Sequence, residues 1–389
     1  MYYVDCSYRS LKKYGEELCG DHIEQINLPN YKIFVLSDGL GSGVKANILA
    51  TLTAKIAVTM LKEGTSIEDT IDTIINTLPV CSERDIAYST FTMIKAKNNG
   101  HVYVAEFDGP EFFLHKNGED IHVEKICREI NGRRILESNF YMDTQTQLVV
   151  VSDGVINAGT GMILNYGWEW ENVNEYLRIV STEKNRASDI CMSLMDVCQS
   201  LYEDKPGDDT TVLALKMCEK KTVKLIIGPP ADPENDNKVM SEILNSKGKT
   251  VICGGTTANI AARFLGREMT IDISTMTDEI PPIGCIPGID LVVEGVITIS
   301  KAVKLIKAYY DPVYNEEASL KIKDKNGAAM LADMIINECS NLNIWMGQAV
   351  NPAHQDAEFL RNFNYKESQA KELKEIVEKM GKEVKFSYT

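Results

Sequence analysis

The sequence predicts an α+β chain whose architecture changes near residue 220, from a layered first part to a smaller, Rossmann-like α/β second part. Two observations carry this. Before the charged stretch Cys218-Glu219-Lys220-Lys221, two amphipathic helices sit among runs of antiparallel-looking strands. After it, short apolar strands are each followed by a loop and a helix-like segment, the pattern of a parallel sheet. A length of 389 residues accommodates two domains, placed at 1–220 and 221–389.

The elements follow in order. YKIFVLSD (31–38) is a short apolar run ending in a polar turn, which predicts a buried strand. A helix comes next, its apolar face set by Val44, Ile48, Leu52 and Ile56 at a spacing of four. Ser66 and Asp69 form a capping-box pattern, and Ile67, Ile71, Ile74, Ile75 and Leu78 mark a second amphipathic helix. STFTMIKA (89–96), HVYVAEFD (101–108) and EFFLHKNG (111–118) read as strands, with hairpin signals at Asn98-Asn99-Gly100 and Asn117-Gly118. QLVVVSDG (147–154) is another strand ending in a turn. A helix spans about 186–202, with Ile190, Leu194, Val197 and Leu201 on one face, and TTVLALK (210–216) closes the first part. In the second part VKLIIG (223–228), TVICGG (250–255) and IDLVVEG (289–295) read as buried strands. Residues 366–380 form a charged amphipathic helix before a short strand-like end.

Composition narrows the function. Lys and Arg total 41 against 56 Asp and Glu, a net charge of −15, which opposes nucleic-acid phosphates and anionic lipid. Neither nucleic acid nor membrane is expected as a partner. No uninterrupted apolar run approaches a membrane span, and the first residues lack the basic and apolar regions of a signal peptide. The ten cysteines are scattered, with no C-x-x-C pair, and read as reduced thiols in the cytoplasm. A redox role for Cys19 is the alternative to a plain buried thiol. The five histidines (His22, His101, His115, His122 and His354) have no zinc-ligand spacing, and there is no nucleophile elbow or Walker loop.

The chemistry lies with aspartates. Two strands end in the same tripeptide, Ser37-Asp38-Gly39 and Ser152-Asp153-Gly154, where glycine would permit a sharp turn. Two more acidic groups lie in turn-like sequence, Cys19-Gly20-Asp21 and Gly207-Asp208-Asp209-Thr210-Thr211. Any one Asp-Gly reads equally as turn chemistry. Together, carboxylates without His or Cys suit a hard cation such as Mg²⁺ or Mn²⁺.

These motifs, in this order, resemble the metal-dependent (PPM, type 2C) serine/threonine protein phosphatases, in the bacterial branch typified by the stage II sporulation protein E phosphatase. The Asp38-Gly39-Leu40-Gly41-Ser42-Gly43-Val44-Lys45-Ala46 run, the late Asp208-Asp209-Thr210-Thr211 element and Gly109-Pro110 carry the resemblance, over about residues 1–217. It implies an α-β-β-α sandwich with two Mn²⁺ or Mg²⁺ ions at one edge. By the same resemblance Asp38 bridges both ions, the Gly39 carbonyl contacts one, Asp21 supports that one, and Asp153 and Asp208 hold the other. Asp38 and Asp21 are thus the expected catalytic residues, while Asp209 takes no direct part. The implied reaction is direct hydrolysis without a phosphoenzyme. The implied partner is a phosphoprotein of bacterial signalling, an anti-sigma-factor antagonist being one such. Leu40 stands where eukaryotic members carry a proton-donating His, and Arg9 is the sole arginine before Asp21. Helices beside the site would act as switches, here those starting at Val44 and Ser66.

Residues 221–389 lie outside the resemblance. There a strand runs into Gly254-Gly255-Thr256-Thr257 and a helix, a start that presents free N–H groups to a small phosphate-bearing ligand or serves as a plain capped turn. Glu294-Gly295 with Thr298 and Ser300 repeats the pattern. Gly228-Pro229-Pro230 reads as a rigid loop, and Trp345 and Met346 as core. The reading from another class is a sensor or scaffold whose phosphatase part is silent and whose second part binds the ligand.

Overall fold

The computed structural model describes residues 2–77, 80–81, 86–87, 89–311, 313, 316–349 and 357–389. Leu78 and His354 lie outside them, as does the side chain of Cys81. The chain forms two compact units that part between Glu219 and Lys220.

The first unit contains, in chain order, β1 (Tyr2–Leu11), β2 (Asp21–Asn27), β3 (Tyr31–Gly39), α1 (Gly43–Lys62), α2 (Ile67–Thr77), β4 (Val80–Cys81), β5 (Ile86–Ala87), β6 (Ser89–Lys97) and β7 (His101–Phe107). It continues with β8 (Phe113–Lys116), β9 (Glu119–Asp120), β10 (Ile126–Ile130), β11 (Arg133–Tyr141), β12 (Thr146–Val151), α3 (Asp153–Ile156), α4 (Trp170–Val180), α5 (Ala187–Leu201) and β13 (Thr210–Glu219). One antiparallel sheet orders β1-β13-β12-β8-β9 and another β10-β11-β7-β6-β3-β2.

Period-two alternation stacks these sheets into four layers. Phe34 and Leu36 face inward and meet Leu148, Val150, Leu213 and Leu215 of the other sheet. Their neighbours Ile33 and Val35 face outward and pack under Ala54, Ala57, Ile71 and Ile74 of α1 and α2. On the far side Val149, Val151, Val212 and Ala214 meet Val173, Leu177, Ile190 and Leu194 of α4 and α5. The result is the expected α-β-β-α sandwich.

Helix α1 corrects the face assigned from sequence. Val44, Ile48 and Leu52 are about half exposed, and Ile56 is only partly buried; the buried side is Ala46, Ala50, Ala54, Ala57, Val58 and Leu61. Alanine lets the helix axis approach the sheet closely, and that approach takes precedence over burying the larger stripe. By length and composition α1 is the one helix among the described residues long and apolar enough to cross a membrane. Its alanine side lies on β3 and β2 instead. Strand β1, the β10–β11 hairpin with its left-handed Asn131-Gly132 turn, and α4 were not anticipated from sequence.

The second unit contains β14 (Thr222–Ile227), α6 (Asp236–Leu244), β15 (Lys249–Cys253), α7 (Gly255–Leu265), β16 (Thr270–Asp272), β17 (Ile283–Cys285), β18 (Leu291–Val293), α8 (Val296–Tyr310), α9 (Glu316–Lys321), α10 (Gly327–Asn337), β19 (Asn341–Met346), α11 (Ala357–Lys379) and β20 (Glu383–Tyr388). Its sheet orders β16-β17-β18-β15-β14-β19-β20, and the five strands from β18 to β20 are parallel. That order is doubly wound, first strand central and the chain stepping outward to each side. Helices α6 and α7 cover one face through Met240, Ile243, Ala258 and Ala261. Met346 is fully buried and Trp345 packs against that cluster, both core as expected.

Candidate active site

Strand pairing brings the first two aspartates together. In the β2–β3 register Asp21 stands directly opposite Asp38, and the Gly39 amide donates to the Gly20 carbonyl at 3.2 Å. The Asp38 carbonyl accepts from Ser89 Oγ at 2.9 Å, and Ser89 is joined to Ser37 Oγ at 2.5 Å. The backbone at Asp38 is thereby fixed from both neighbouring strands.

The other sheet supplies the second pair. Ser152 and Thr211 exchange bonds between β12 and β13: the Ser152 amide donates to the Thr211 carbonyl at 2.9 Å, and the Thr211 amide to Ser152 Oγ at 2.8 Å. This sets Asp153 at the start of the one-turn helix α3, beside the loop carrying Asp208 and Asp209. Tyr202 Oη donates to the Gly154 carbonyl at 2.7 Å and holds α3 from below.

The two Ser-Asp-Gly glycines serve close approach, which differs from the turn role expected of them. Neither has a positive φ. A Cβ on Gly39 would stand 2.1 Å from the Ala46 carbonyl oxygen, and one on Gly154 2.1 Å from that of Asp209. Glycine is required because α1 and the Asp208-Asp209 loop press directly against these backbones.

The electrostatics show that the four groups share one site. Asp21 is 5% exposed, and neither of its oxygens has a hydrogen-bond partner. Burial pushes its pKa up to about 7, with Asp209 and Asp153 adding repulsion, while the nearby Ser152 and Thr211 hydroxyls favour the ionised form. Burial and the charges of Asp21, Asp153 and Asp208 push Asp38 up to about 9, and it is hydrogen bonded to Asp153. Asp153 is raised as well, by burial and by Asp208. Without cations, burial and mutual repulsion thus disfavour ionising Asp38 and Asp153 together.

Such a cluster is unstable as four anions and becomes favourable around cations. The donors are all oxygen, and Asp21 presents two buried, unpartnered acceptors, so the residues fit hard divalent ions by chemistry. Among the described residues no three acidic, His or Cys side chains already stand in ligating geometry. Ligation would need side chains to turn and the carboxylates to be ionised.

Two residues that sequence reasoning missed complete the edge. Lys13 Nζ lies 3.7 Å from Asp208 Oδ1, and its amide donates to Asp209 Oδ1 at 3.0 Å. Glu16 accepts from Ser42 Oγ at 2.8 Å and lies against Gly43, at the start of α1. A carboxylate there is favoured by the helix dipole. Both sit in a loop with no motif, so only the tertiary structure marks them. Arg9 is buried, and its guanidinium donates to the Tyr8 carbonyl at 2.7 Å and to Ser7 Oγ.

Asp209 is 4% exposed; its Oδ1 accepts from the Lys13 amide, while its Oδ2 is buried without a hydrogen-bond partner, as both Asp21 oxygens are. Burial, with Asp21 and Asp209 nearby, holds the Cys19 thiol well above its ordinary range, so it is not poised as a redox thiolate. His115 is buried between Asn174 and Asp120, a structural role.

The family model "Stage II sporulation protein E (SpoIIE)" matches residues 29–217, a span that includes Asp38, Asp153 and Asp208 and starts after Asp21. No curated protein matches the chain. Among solved structures, the PP2C phosphatase domain with a fragment of the regulatory domain of SpoIIE from Bacillus subtilis is 19% identical, over 56% of this chain and 62% of that one, with a TM-score of 0.48. The RsbU and RsbW domains of a Mycobacterium tuberculosis protein are 13% identical, over 61% and 66%, with a TM-score of 0.46. The PP2C domain of SiaA from Pseudomonas aeruginosa is 14% identical, over 54% and 85%, with a TM-score of 0.45. The chain spans less than two thirds of the first two structures.

Proposed function

The amino-terminal unit of this chain belongs to the SpoIIE family of PPM phosphatases, and on that premise we propose that it hydrolyses phosphoserine or phosphothreonine in a signalling protein. The observation that carries this reading is the meeting of Asp21, Asp38, Asp153 and Asp208 where two sheets end, with both Asp21 oxygens buried and unpartnered. Two Mn²⁺ or Mg²⁺ ions are the proposed cofactors. Asp21, Asp38 and the Gly39 carbonyl would hold one ion, and Asp38, Asp153 and Asp208 the other.

When bound, such a pair supplies Lewis acidity, lowering the pKa of water and offsetting phosphoryl charge. The chain's own part is to hold the acceptors rigidly. Ser89 and Gly20 fix the backbone at Asp38, and Tyr202 fixes it at Gly154. Lys13, half-buried beside Asp208, would offer its ammonium to a phosphoryl oxygen. Exposure rises from buried Asp21 through half-buried Asp38 to exposed Asp153. That gradient opens the site at the surface, which suits a phosphorylated side chain carried by another protein, of the anti-sigma-factor-antagonist kind.

A cytoplasmic location agrees with the scattered free cysteines. Residues 1–220 would be the phosphatase and 221–389 a regulatory or ligand-binding part. The test is phosphate release from a phosphopeptide panel with Mn²⁺, with Mg²⁺ and with chelator. Thermal stabilisation by a small ligand, with none by Mn²⁺ and no release, would instead favour the silent-scaffold reading.

A further inference from the structure

In the second unit, β15 and β18 are parallel neighbours, and each leads directly into a helix. Helix α7 starts at Gly255 and α8 at Val296, so two helix starts open side by side at the carboxyl ends of the strands. They flank a cavity of about 300 Å³ whose lining includes Gly254, Gly255, Thr257, Glu294, Gly295 and Lys366. Thr298 and Ser300, singled out in the sequence, lie further along α8 and do not line it.

Several independent features at this spot ask for a ligand. Neither helix start is capped by a side chain, which leaves first-turn N–H groups free to point outward. No atom lies within 4 Å of where a Cβ would stand on Gly255 or Gly295, so the backbone there is bare. The Thr257 hydroxyl is fully buried and has no hydrogen-bond partner, an arrangement that costs about 1–3 kcal/mol unless something binds it. Lys366, from α11, brings a cation to the same cavity. One water would satisfy the hydroxyl but would not account for two bare helix starts and a lysine. Glu294 is the exception to the positive lining. Its exposed carboxylate would repel a bare phosphate but would accept hydrogen bonds from hydroxyl groups.

We propose that this cavity binds a phosphorylated, hydroxyl-bearing small molecule, of the nucleotide or sugar-phosphate kind. Its phosphate sits across the two helix starts, against Lys366 and the Thr257 hydroxyl, and its hydroxyls face Glu294. Oriented N–H groups and the helix dipoles supply the attraction that a chain of net charge −15 otherwise lacks.

The experiment is calorimetric titration of the full chain, in chelator, with ADP, GDP, ribose 5-phosphate and inorganic phosphate. Chelation keeps the carboxylate site of the first unit out of the measurement, so the result is independent of the phosphatase reading. The expected result is saturable binding of at least one organic phosphate, tighter than inorganic phosphate. Nucleotide binding without ribose 5-phosphate binding would assign a base contact, and the reverse a sugar phosphate. Gly255→Asp places a carboxylate in open space at a helix start, where it favours folding but opposes an anion, and should abolish binding. Thr257→Val keeps the shape and should weaken binding about tenfold or more. Lys366→Gln should weaken it too. No saturable binding up to about 10 mM, affinity no better than for inorganic phosphate, or binding unchanged in the folded variants would each overturn the proposal.

Discussion

At the scale of the residue, the site is a set of carboxylates that are uncomfortable together. Asp21 and Asp38 titrate near 7 and 9 in the folded chain against about 4 when unfolded. Between those values the folded chain binds more protons than the unfolded one, so stability falls as pH rises. In chelator, the melting temperature should therefore be higher at pH 6 than at pH 8.5, and Asp38→Asn should flatten that slope and raise stability at the upper end. A profile that rises with pH, or one that the substitution leaves unchanged, would contradict the coupling. Metal affinity should run the opposite way and strengthen over the same interval, since cations compete with those protons. Lys13→Ala should lower kcat/KM by about tenfold or more, mainly through binding, with metal affinity kept; unaltered kinetics would remove Lys13 from the site. The aspartates were legible in sequence because strand-end Asp-Gly pairs recur in a fixed order. Lys13 and Glu16 were not, because a loop without periodicity carries no signal of what it folds against. The glycines were half legible. Their identity stood out, but their reason, a backbone 2.1 Å from where a Cβ would be, exists only in the packed structure. Gly39→Ala and Gly154→Ala should each lower stability by roughly 2 kcal/mol or more, and chemical denaturation would show it.

Among the elements, α1 and α2 connect the core to the site. Gly43 and Ser42 at the start of α1 receive Glu16, Asn47 donates to the Cys19 carbonyl at 2.8 Å, and Ala46 presses on Gly39. Movement of α1 would thus be felt at Asp21 and Asp38 together, which gives the expected switch role a physical route. Ile71 of α2 is fully buried, so Ile71→Ala should cost about 2–5 kcal/mol and weaken Mn²⁺ binding in the protein that remains folded. Ile48 is 51% exposed, so Ile48→Ala should change stability by only about 0.5 kcal/mol and leave metal binding alone. Calorimetry on both variants separates the two; equal effects would refute the route through α2. The spacing of four in α1 predicts the core face because large aliphatic residues usually go inside. It failed because four residues overshoot a helical turn and because the alanine face fits the sheet more closely. The strand runs held up better, since each alternation has two walls to fill. Strand β1 escaped notice because its tyrosines, serines and Arg9 hide the alternation, although its pairing with β13 is complete in register.

Across the whole molecule, a two-sheet sandwich brings strand ends from different sheets to one edge, while the doubly wound unit brings helix starts to another. As proposed, each would let an acidic chain handle phosphate, one with cations and one with backbone dipoles. The change of architecture was legible as a shift from hairpin signals to strand–loop–helix repeats. Strand β19 at the topological switch alternates cleanly in burial, but its Asn341, Asn343 and Trp345 positions disguise it as a short polar stretch in front of a core pair. The four-aspartate edge is proposed as a metal-dependent phosphatase site. Its most direct test is phosphate release from a phosphoserine and phosphothreonine peptide panel by the full chain, with Mn²⁺, with Mg²⁺ and with chelator, for wild type and Asp38→Asn. Release should require the cation and be lost in a variant whose circular dichroism is unchanged. Release that persists in chelator, or that a folded Asp38→Asn retains in full, would contradict that proposal.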